Sequence, residues 1–180
     1  MAKITVLDQK LLDITIGRLC EELIENYDEF DNAAIIGMQP RGIFLAERIK
    51  NRLNDRLGLE LPVGQLDTTF YRDDFRRRDE PLNPNSTNIP FIIEGKKVIL
   101  IDDVLYTGRS VRAAISAMLA FGRPQKVELL TLINRKYSRD LPIEPNYVGK
   151  HVNTIQSQRV IVEWKEQGFE QDCIRMVNKV

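Results

Sequence analysis

The first hydrophobic pattern in the chain is a helical stripe between residues 8 and 30. Apolar residues recur there close to every 3.6 positions, which is the spacing of one face of an amphipathic helix. Asp8 precedes the stripe and is a candidate N-cap, because its carboxylate can accept a hydrogen bond from a free helical N–H group. The apolar residues of this predicted helix, and hence its expected buried face, are Leu11, Ile14, Leu19, Leu23 and Ile24.

Later segments alternate between short apolar runs and helical spacing. Ala33–Met38 is an apolar run closed by the turn Gln39–Gly42, after which helical spacing resumes at Ile43. A helix is also expected over Ser110–Phe121, with its buried face formed by Val111, Ala114, Ile115, Met118 and Leu119. Further strands are predicted at Leu61–Tyr71, Lys97–Ile101, Lys126–Ile133 and Arg159–Trp164. This alternation favours an α/β fold with a largely parallel, twisted sheet flanked by helices on both faces.

The composition fits one domain spanning residues 1–180. The 180 residues are 43% hydrophobic, with 26 Lys+Arg against 26 Asp+Glu, so any nucleic-acid role needs a local basic patch. The two cysteines stand in unrelated contexts and the only histidine is His151, which disfavours a zinc site or a disulfide scaffold. No apolar run approaches the ~18 residues of a spanning helix, so we expect no membrane contact and a cytoplasmic location.

The segment from residue 97 to residue 111 carries the most specific chemistry. A buried strand delivers Asp102 and Asp103 to its carboxyl end, and a turn containing Thr107 and Gly108 then opens a helix. Ligands bind at that end of an open α/β sheet, and the free N–H groups at a helix start can hold a phosphate. Each feature alone is often only a cap or a turn, but their combination favours a phosphate site. The chain lacks the Walker and dinucleotide glycine motifs.

The run Val98–Ser110, VILIDDVLYTGRS, resembles the phosphoribosyl diphosphate (PRPP) signature of the type I phosphoribosyltransferases. Further similar stretches follow the order of the PyrR family, which comprises pyrimidine-operon attenuators that are also uracil phosphoribosyltransferases. The resemblance covers nearly the whole chain and implies the type I phosphoribosyltransferase fold, with a small hood and a mobile catalytic loop. The further stretches are Gly37–Ile43, Thr69–Asp74, Gly122–Pro124 and Leu141–Lys150.

The resemblance implies transfer of the ribosyl phosphate of PRPP to N1 of uracil, giving UMP and pyrophosphate. Asp102 and Asp103 would face the ribose hydroxyls and help to organise Mg²⁺, partly through water, since magnesium prefers few carboxylates together with substrate oxygens. The residues that would cradle the 5′-phosphate are Thr107, Gly108, Arg109 and Ser110.

The turn Gln39–Gly42 resembles the family's pyrophosphate loop, although a surface turn with an incidental arginine is the alternative. Arg41 would supply the bidentate cation that a diphosphate favours. The PyrR pattern commonly has threonine at the position of Pro40, and a cis bond costs ~0.5–1 kcal/mol before proline against ~2.5–4 kcal/mol elsewhere. We therefore predict a cis Gln39–Pro40 bond. The residues assigned to pyrophosphate are Gln39, Pro40, Arg41 and Gly42.

Residues 72–90 are polar and rich in proline and asparagine, as in a working or a disordered loop. They resemble the family's mobile catalytic loop, which would close over the reacting centre and exclude water. Arg72 would contact pyrophosphate during catalysis.

The resemblance assigns base recognition to four residues near the hood. Tyr147 would stack on the uracil ring and Val148 would bond its edge through the backbone. Arg135 would reach an exocyclic oxygen, and Val104 would lie beneath the base. Tyr106 occupies a position where purine-specific relatives often carry an acid, so uracil would react as its N1 anion or pass the proton to water.

A second activity implied by the resemblance is binding of the pyrimidine-operon (pyr) leader mRNA in the presence of UMP, which requires a basic face. Asp13, Ile14 and Glu144 stand where RNA-binding members carry basic residues. We therefore rank the enzyme first; the alternatives are an RNA-binding regulator with weak or no catalysis and a purine-base phosphoribosyltransferase. The resemblance also implies a homodimer or higher homo-oligomer. The basic residues left for an RNA patch are Arg18, Arg135, Lys136, Arg139, Lys150 and Arg159.

Overall fold

The structure is a computed structural model, and it describes residues 3–27, 29–73, 85–155 and 157–178. The strands are β1 (Lys3–Leu7), β2 (Ala33–Met38), β3 (Val63–Leu66), β4 (Lys97–Leu105), β5 (Lys126–Lys136), β6 (Tyr147–Asn153), β7 (Gln158–Glu163) and β8 (Cys173–Asn178). The α-helices are α1 (Gln9–Asn26), α2 (Gly42–Leu57) and α3 (Arg109–Met118), and short 3-10 turns cover Thr69–Tyr71, Leu119–Phe121 and Lys165–Gln167.

A five-stranded sheet in the order β3-β2-β4-β5-β6 forms the centre of the molecule. Each neighbouring pair in it is parallel, which confirms the predicted parallel α/β architecture. All six residues of β2 are buried, because helices cover both faces of the sheet. Strands buried on both faces read in the sequence as continuous apolar runs, and for that reason β2 was predicted with its observed bounds.

The helices divide the core into two layers. Residues of α1 and α2 pack with Ile35 and Ile99 in one hydrophobic cluster. Residues of α3 pack with Ile36 and Leu100 in the other. The carboxyl ends of the central strands are therefore held between two packed layers, which fixes the residues that follow them.

The expected buried face of α1 is partly wrong. Leu19 and Leu23 are buried, but Leu11 and Ile14 are 48% and 56% exposed. The stripe that faces the core instead contains Leu12 and Ile16, one turn apart, because the helix carries more apolar residues than its contact face can cover. Capping by Asp8 is confirmed: its carboxylate accepts the Leu11 N–H at 2.8 Å.

Further boundaries differ from the prediction, and strand β3 covers only Val63–Leu66 of the predicted Leu61–Tyr71. Strand β4 does not end before Asp102 but continues to Leu105, so the two carboxylates lie within the strand. Helix α3 ends at Met118, and the predicted buried residues Ile115 and Leu119 are 37% and 54% exposed.

A second sheet, in the antiparallel order β1-β8-β7, packs beside the first. Arg48 of α2 joins the two, since its guanidinium lies 4.4 Å from the Trp164 ring centroid and bonds Asp172 at 2.7 Å and Glu166 at 2.8 Å. Trp164 belongs to the same core cluster as the buried residues of α1 and α2. No helix in the described parts of the chain is long and apolar enough to cross a membrane.

Candidate active site

The centre of the candidate site is the carboxylate pair Asp102 and Asp103 near the end of β4. Asp103 is 9% exposed, and its backbone N–H donates to Asp102 Oδ1 at 2.9 Å. Among the described residues, Asp103 Oδ2 is buried without a hydrogen-bond partner. Strand pairing aligns Asp102 with Thr131 of β5. Two acidic residues that follow one another are thus placed near the end of β4, with Asp103 buried and Asp102 half-buried.

Burial and mutual repulsion act on both acids. Burial, and secondly the charge of Asp103, raise the pKa of Asp102 well above its usual value. Burial likewise raises the pKa of Asp103, although the Arg41 guanidinium counteracts part of this effect. A buried carboxylate pair of this kind favours a cation, because positive charge stabilises the ionised forms.

The pair suits a hard divalent cation that also binds a substrate. The orphaned Oδ2 of Asp103 offers an unused buried oxygen at this point. No cluster of three or more ligating side chains occurs among the described residues, so a protein-only cage is not formed there. Mg²⁺ commonly uses one or two carboxylates and completes its six oxygens from substrate phosphates and water. The donor set therefore fits magnesium held jointly by Asp102, Asp103 and a substrate.

The phosphate turn, which we define as residues 106–110, follows β4 directly. Gly108 has φ +89°, a left-handed conformation that glycine adopts without steric strain. Helix α3 starts at Arg109, so its first N–H groups open toward the turn. Thr107 Oγ1 accepts the Arg109 N–H at 3.4 Å, and Ser110 Oγ accepts from Arg72 Nη1 at 2.9 Å. The four residues predicted to bind the 5′-phosphate, 107–110, thus span the end of the turn and the first residues of α3.

A second turn, Gln39–Gly42, lies against β4 at the same end of the sheet. A Cβ placed on Gly42 would lie 2.5 Å from the Ile101 carbonyl oxygen and 3.1 Å from Asp102 Cα. Only glycine permits this approach, which brings Arg41 close enough to lower the pKa of Asp103. The Gln39–Pro40 bond is cis, which confirms that prediction. Gln39 donates its side-chain Nε2 to the Ser86 carbonyl at 2.6 Å.

The predicted catalytic loop is described only at its two ends, since residues 74–84 lie outside the described residues. At the first end, Arg109 pairs with Asp73, and Arg112 donates to the Tyr71 carbonyl at 3.0 Å. At the other end, Asp67 accepts from the Asn85 N–H at 3.1 Å while also bonding Thr69 Oγ1 at 2.7 Å. Arg72 is thereby held over the phosphate turn, and its charge lowers the pKa of Asp102.

Comparison with known proteins identifies the family of the chain. Residues 5–167 match the family model of the phosphoribosyl transferase domain. Proteins named bifunctional protein PyrR are 41% identical to the chain: the one from Listeria monocytogenes covers 98% of this chain and 97% of its own length, and the one from Enterococcus faecalis 93% of both. The chain belongs to the PyrR family of phosphoribosyltransferases.

Solved structures show the same fold at lower identity. Hypoxanthine phosphoribosyltransferase from Staphylococcus aureus superposes with a TM-score of 0.72 at 18% identity, covering 98% of this chain and 92% of that one. The hypoxanthine-guanine enzyme of Leishmania tarentolae, solved with GMP, gives 0.75 at 14% identity, covering 98% and 97%. The PyrR-family chain thus has the type I phosphoribosyltransferase fold.

Within this PyrR-family site, the stacking role predicted for Tyr147 is wrong. Tyr147 is 4% exposed, and its hydroxyl donates to Glu128 Oε2 at 3.2 Å. The same oxygen accepts from Tyr27 at 2.5 Å, and Lys126 bonds the other carboxylate oxygen at 2.6 Å. Although burial alone raises the pKa of Glu128, these donors hold it below its usual value. Tyr147 therefore closes a core network and cannot stack on a base.

The backbone role predicted for Val148 also meets a competing contact. Strand β6 is an edge of the sheet, and Arg18 Nη2 donates to the carbonyls of Val148 at 2.9 Å and Gly149 at 2.6 Å. The Val148 carbonyl is thus already hydrogen-bonded to Arg18, whose side chain covers the open edge of β6. Val104 is partly buried and packs against the core layer of α1 and α2.

Arg135 is near the site but buried. It is 4% exposed, donates Nε to Thr154 Oγ1 at 2.7 Å and Nη2 to the Gln158 carbonyl at 3.1 Å, and lies 3.7 Å from the Tyr106 ring centroid. It therefore joins the end of β5 to the segment before β7. Contact between Arg135 and a base stays a prediction.

Asp67 and Asp140 are structural parts of the site that were not predicted from the sequence. Asp140 bonds Arg109 Nε at 3.0 Å, and Asp67 ties the two loop ends together. Asp67 could have been found, because Asp two residues before Thr is a local turn pattern. Asp140 gave no such signal, since its partner is distant in the sequence.

Gly42→Ala should disrupt the site while the analogous Gly17→Ala should not. The new methyl group at position 42 meets backbone atoms that cannot yield, and misplacement of about 1 Å can reduce turnover on the order of 100-fold. At Gly17 the nearest atom to an added methyl group is the flexible Arg52 Nη1, at 3.1 Å. Steady-state kinetics and thermal melts of both variants check this. Equal activity of the two variants would contradict the close approach.

Tyr147→Leu should lower stability without raising the Michaelis constant for the base. Loss of the ring and of its hydrogen bond should cost about 1–3 kcal/mol in the free energy of unfolding. Tyr27→Leu is the matched control, because Tyr27 bonds the same carboxylate. A tenfold higher constant in Tyr147→Leu alone, measured by initial rates, would restore the stacking role.

Proposed function

We propose that this protein transfers the 5-phosphoribosyl group of PRPP to N1 of uracil, producing UMP and pyrophosphate. The observation that carries the proposal is the convergence of two turns on one buried carboxylate pair. The phosphate turn follows Asp103 in β4, and the Gly42 turn packs so closely on the same strand that a Cβ at Gly42 would lie 2.5 Å from the Ile101 carbonyl oxygen. PRPP carries a phosphate and a diphosphate on one ribose, so it requires two anion sites separated by a ribose site.

The proposed roles follow from position. The phosphate turn binds the 5′-phosphate, Asp102 and Asp103 face the ribose hydroxyls, and Arg41 and Arg72 bind pyrophosphate. Magnesium, when bound, neutralises the charge of the diphosphate. Fixed positive groups stabilise a leaving pyrophosphate because they need no reorganisation during the reaction.

The acceptor is proposed to be uracil because the PyrR relatives are far more similar than the purine enzymes. The PyrR proteins reach 41% identity, against 18% for the Staphylococcus hypoxanthine enzyme. Tyr106, stacked under Arg135, supplies no carboxylate to take the N1 proton. Uracil would therefore enter as its N1 anion or release its proton to water. A purine acceptor is the alternative within the enzymes.

RNA binding is the second candidate function, favoured by the word bifunctional in the relatives' names. Arg18, Arg135 and Arg139 already donate hydrogen bonds within the protein. The exposed basic residues of such a patch are Lys136, Lys150 and Arg159, and of these Lys150 also donates its Nζ to the Val6 carbonyl at 3.1 Å. By the family resemblance we also propose a homodimer or higher oligomer.

Uracil-dependent release of pyrophosphate from PRPP and Mg²⁺ tests the enzyme directly. We expect release with uracil and none with hypoxanthine, guanine or orotate. Asp102→Asn with Asp103→Asn should lower turnover by on the order of 100-fold, since charge stabilisation at the ribose is lost. Release with a purine alone would replace the acceptor, and no release from folded protein that still binds PRPP would favour a regulator.

Filter binding of the pyrimidine-operon leader RNA, with UMP, tests the second function. Three phosphate contacts predict a slope of about −2 in log affinity against log salt concentration, from ~0.7 per contact on single strands. Affinity that is unaffected by UMP, or no detectable binding in low salt, would remove the regulatory role.

A further inference from the structure

A short segment after β5 packs behind the phosphate turn. We call residues 139–143 the bracing segment. The N–H groups of Asp140 and Leu141 both donate to the Thr107 carbonyl, at 3.0 and 3.2 Å. Asp140 also bonds Arg109 Nε at 3.0 Å. The backbone of the turn is therefore attached to a segment more than thirty residues later in the chain.

Arg139 is the centre of this segment. Its Nη1 donates to the Tyr106 carbonyl, its Nη2 to Asn134 Oδ1, and its Nε to the Ile143 carbonyl at 2.9 Å. The planar guanidinium thus joins the end of β5, the bracing segment and the residue before Thr107. A lysine has one nitrogen and cannot make these three bonds in one plane.

These contacts determine the orientation of the peptide groups that form the phosphate turn. The carbonyls of Tyr106 and Thr107 are both held from the side of the bracing segment, on successive residues. Gly108 follows at φ +89°, and a Cβ built there would lie 3.3 Å from Ile143 Cβ. With the carbonyls fixed and one side of Gly108 covered, the turn has little freedom to rotate its N–H groups away from a phosphate.

We propose that Arg139 is a positioning residue for the 5′-phosphate of the substrate. It acts through the Tyr106 and Thr107 backbone and touches no reacting atom. The inference rests on the proposed function, which assigns the phosphate turn to PRPP. It also gives Arg139 a role inside the enzyme in place of one on an RNA-binding face.

The test compares ligands that contain the 5′-phosphate with one that lacks it. Dissociation constants of PRPP, UMP and pyrophosphate, each with Mg²⁺, are measured by titration calorimetry on the full chain and on Arg139→Met. The variant should bind PRPP and UMP about tenfold more weakly, by similar factors, because a small misplacement of binding groups is costly. Pyrophosphate binding should change less than twofold.

Two further variants keep the result interpretable. Arg56→Met removes an arginine whose side chain is 68% exposed, and it should leave all three constants unchanged. Arg139→Lys keeps the positive charge but not the planar guanidinium with its several N–H donors, so this variant should still bind PRPP and UMP more weakly than the wild-type protein does. If Arg139→Met unfolds, Arg139→Lys provides the same comparison.

Unchanged PRPP binding in folded Arg139→Lys and Arg139→Met would overturn the proposal. An equal loss for pyrophosphate would also overturn it, because it would indicate general damage. Failure of the wild-type protein to bind PRPP would reject the proposed function itself, a result distinct from any difference between variants.

Discussion

The burial of two adjacent carboxylates within β4 is the constraint on which the rest of the site depends. A strand enclosed by helices on both faces carries, near its end, charged groups that water cannot fully solvate, so their ionised forms need positive charge from nearby. Arg41 and Arg72 supply part of it from two different loops. The positive charge that is still needed is the reason why we propose a magnesium-bound diphosphate as the ligand.

Close packing of backbone, more than side-chain chemistry, brings the separate parts together. Gly42 lets the turn Gln39–Gly42 approach β4, and Gly108 lets the phosphate turn leave β4. Asp67 joins the two described ends of the loop near Arg72. Substitutions at any of these positions should therefore displace the carboxylates, even where the substituted residue touches no ligand.

The sequence predicted the parts of the fold whose causes are local. Strand β2 and the carboxylate pair were recognisable because an enclosed parallel strand reads as one apolar run and the phosphate turn follows within a few residues. The buried face of α1 was not, since Leu11 and Leu12 are equally apolar and only tertiary packing decides which is covered. The role of Tyr147 was misassigned and the bonds of Arg139 were not foreseen, because their partners, Glu128 and Tyr106, are distant in the sequence.

A crystal structure of the protein with PRPP and Mg²⁺ is the decisive test of how the two turns and the carboxylate pair bind the substrate. We expect the 5′-phosphate at the N–H groups of residues 107–110 and the diphosphate beside Arg41. The ribose should lie over Asp102 and Asp103, with magnesium between their carboxylates and the diphosphate oxygens. PRPP bound with its two phosphate ends exchanged, or bound away from the carboxylate pair, would contradict it.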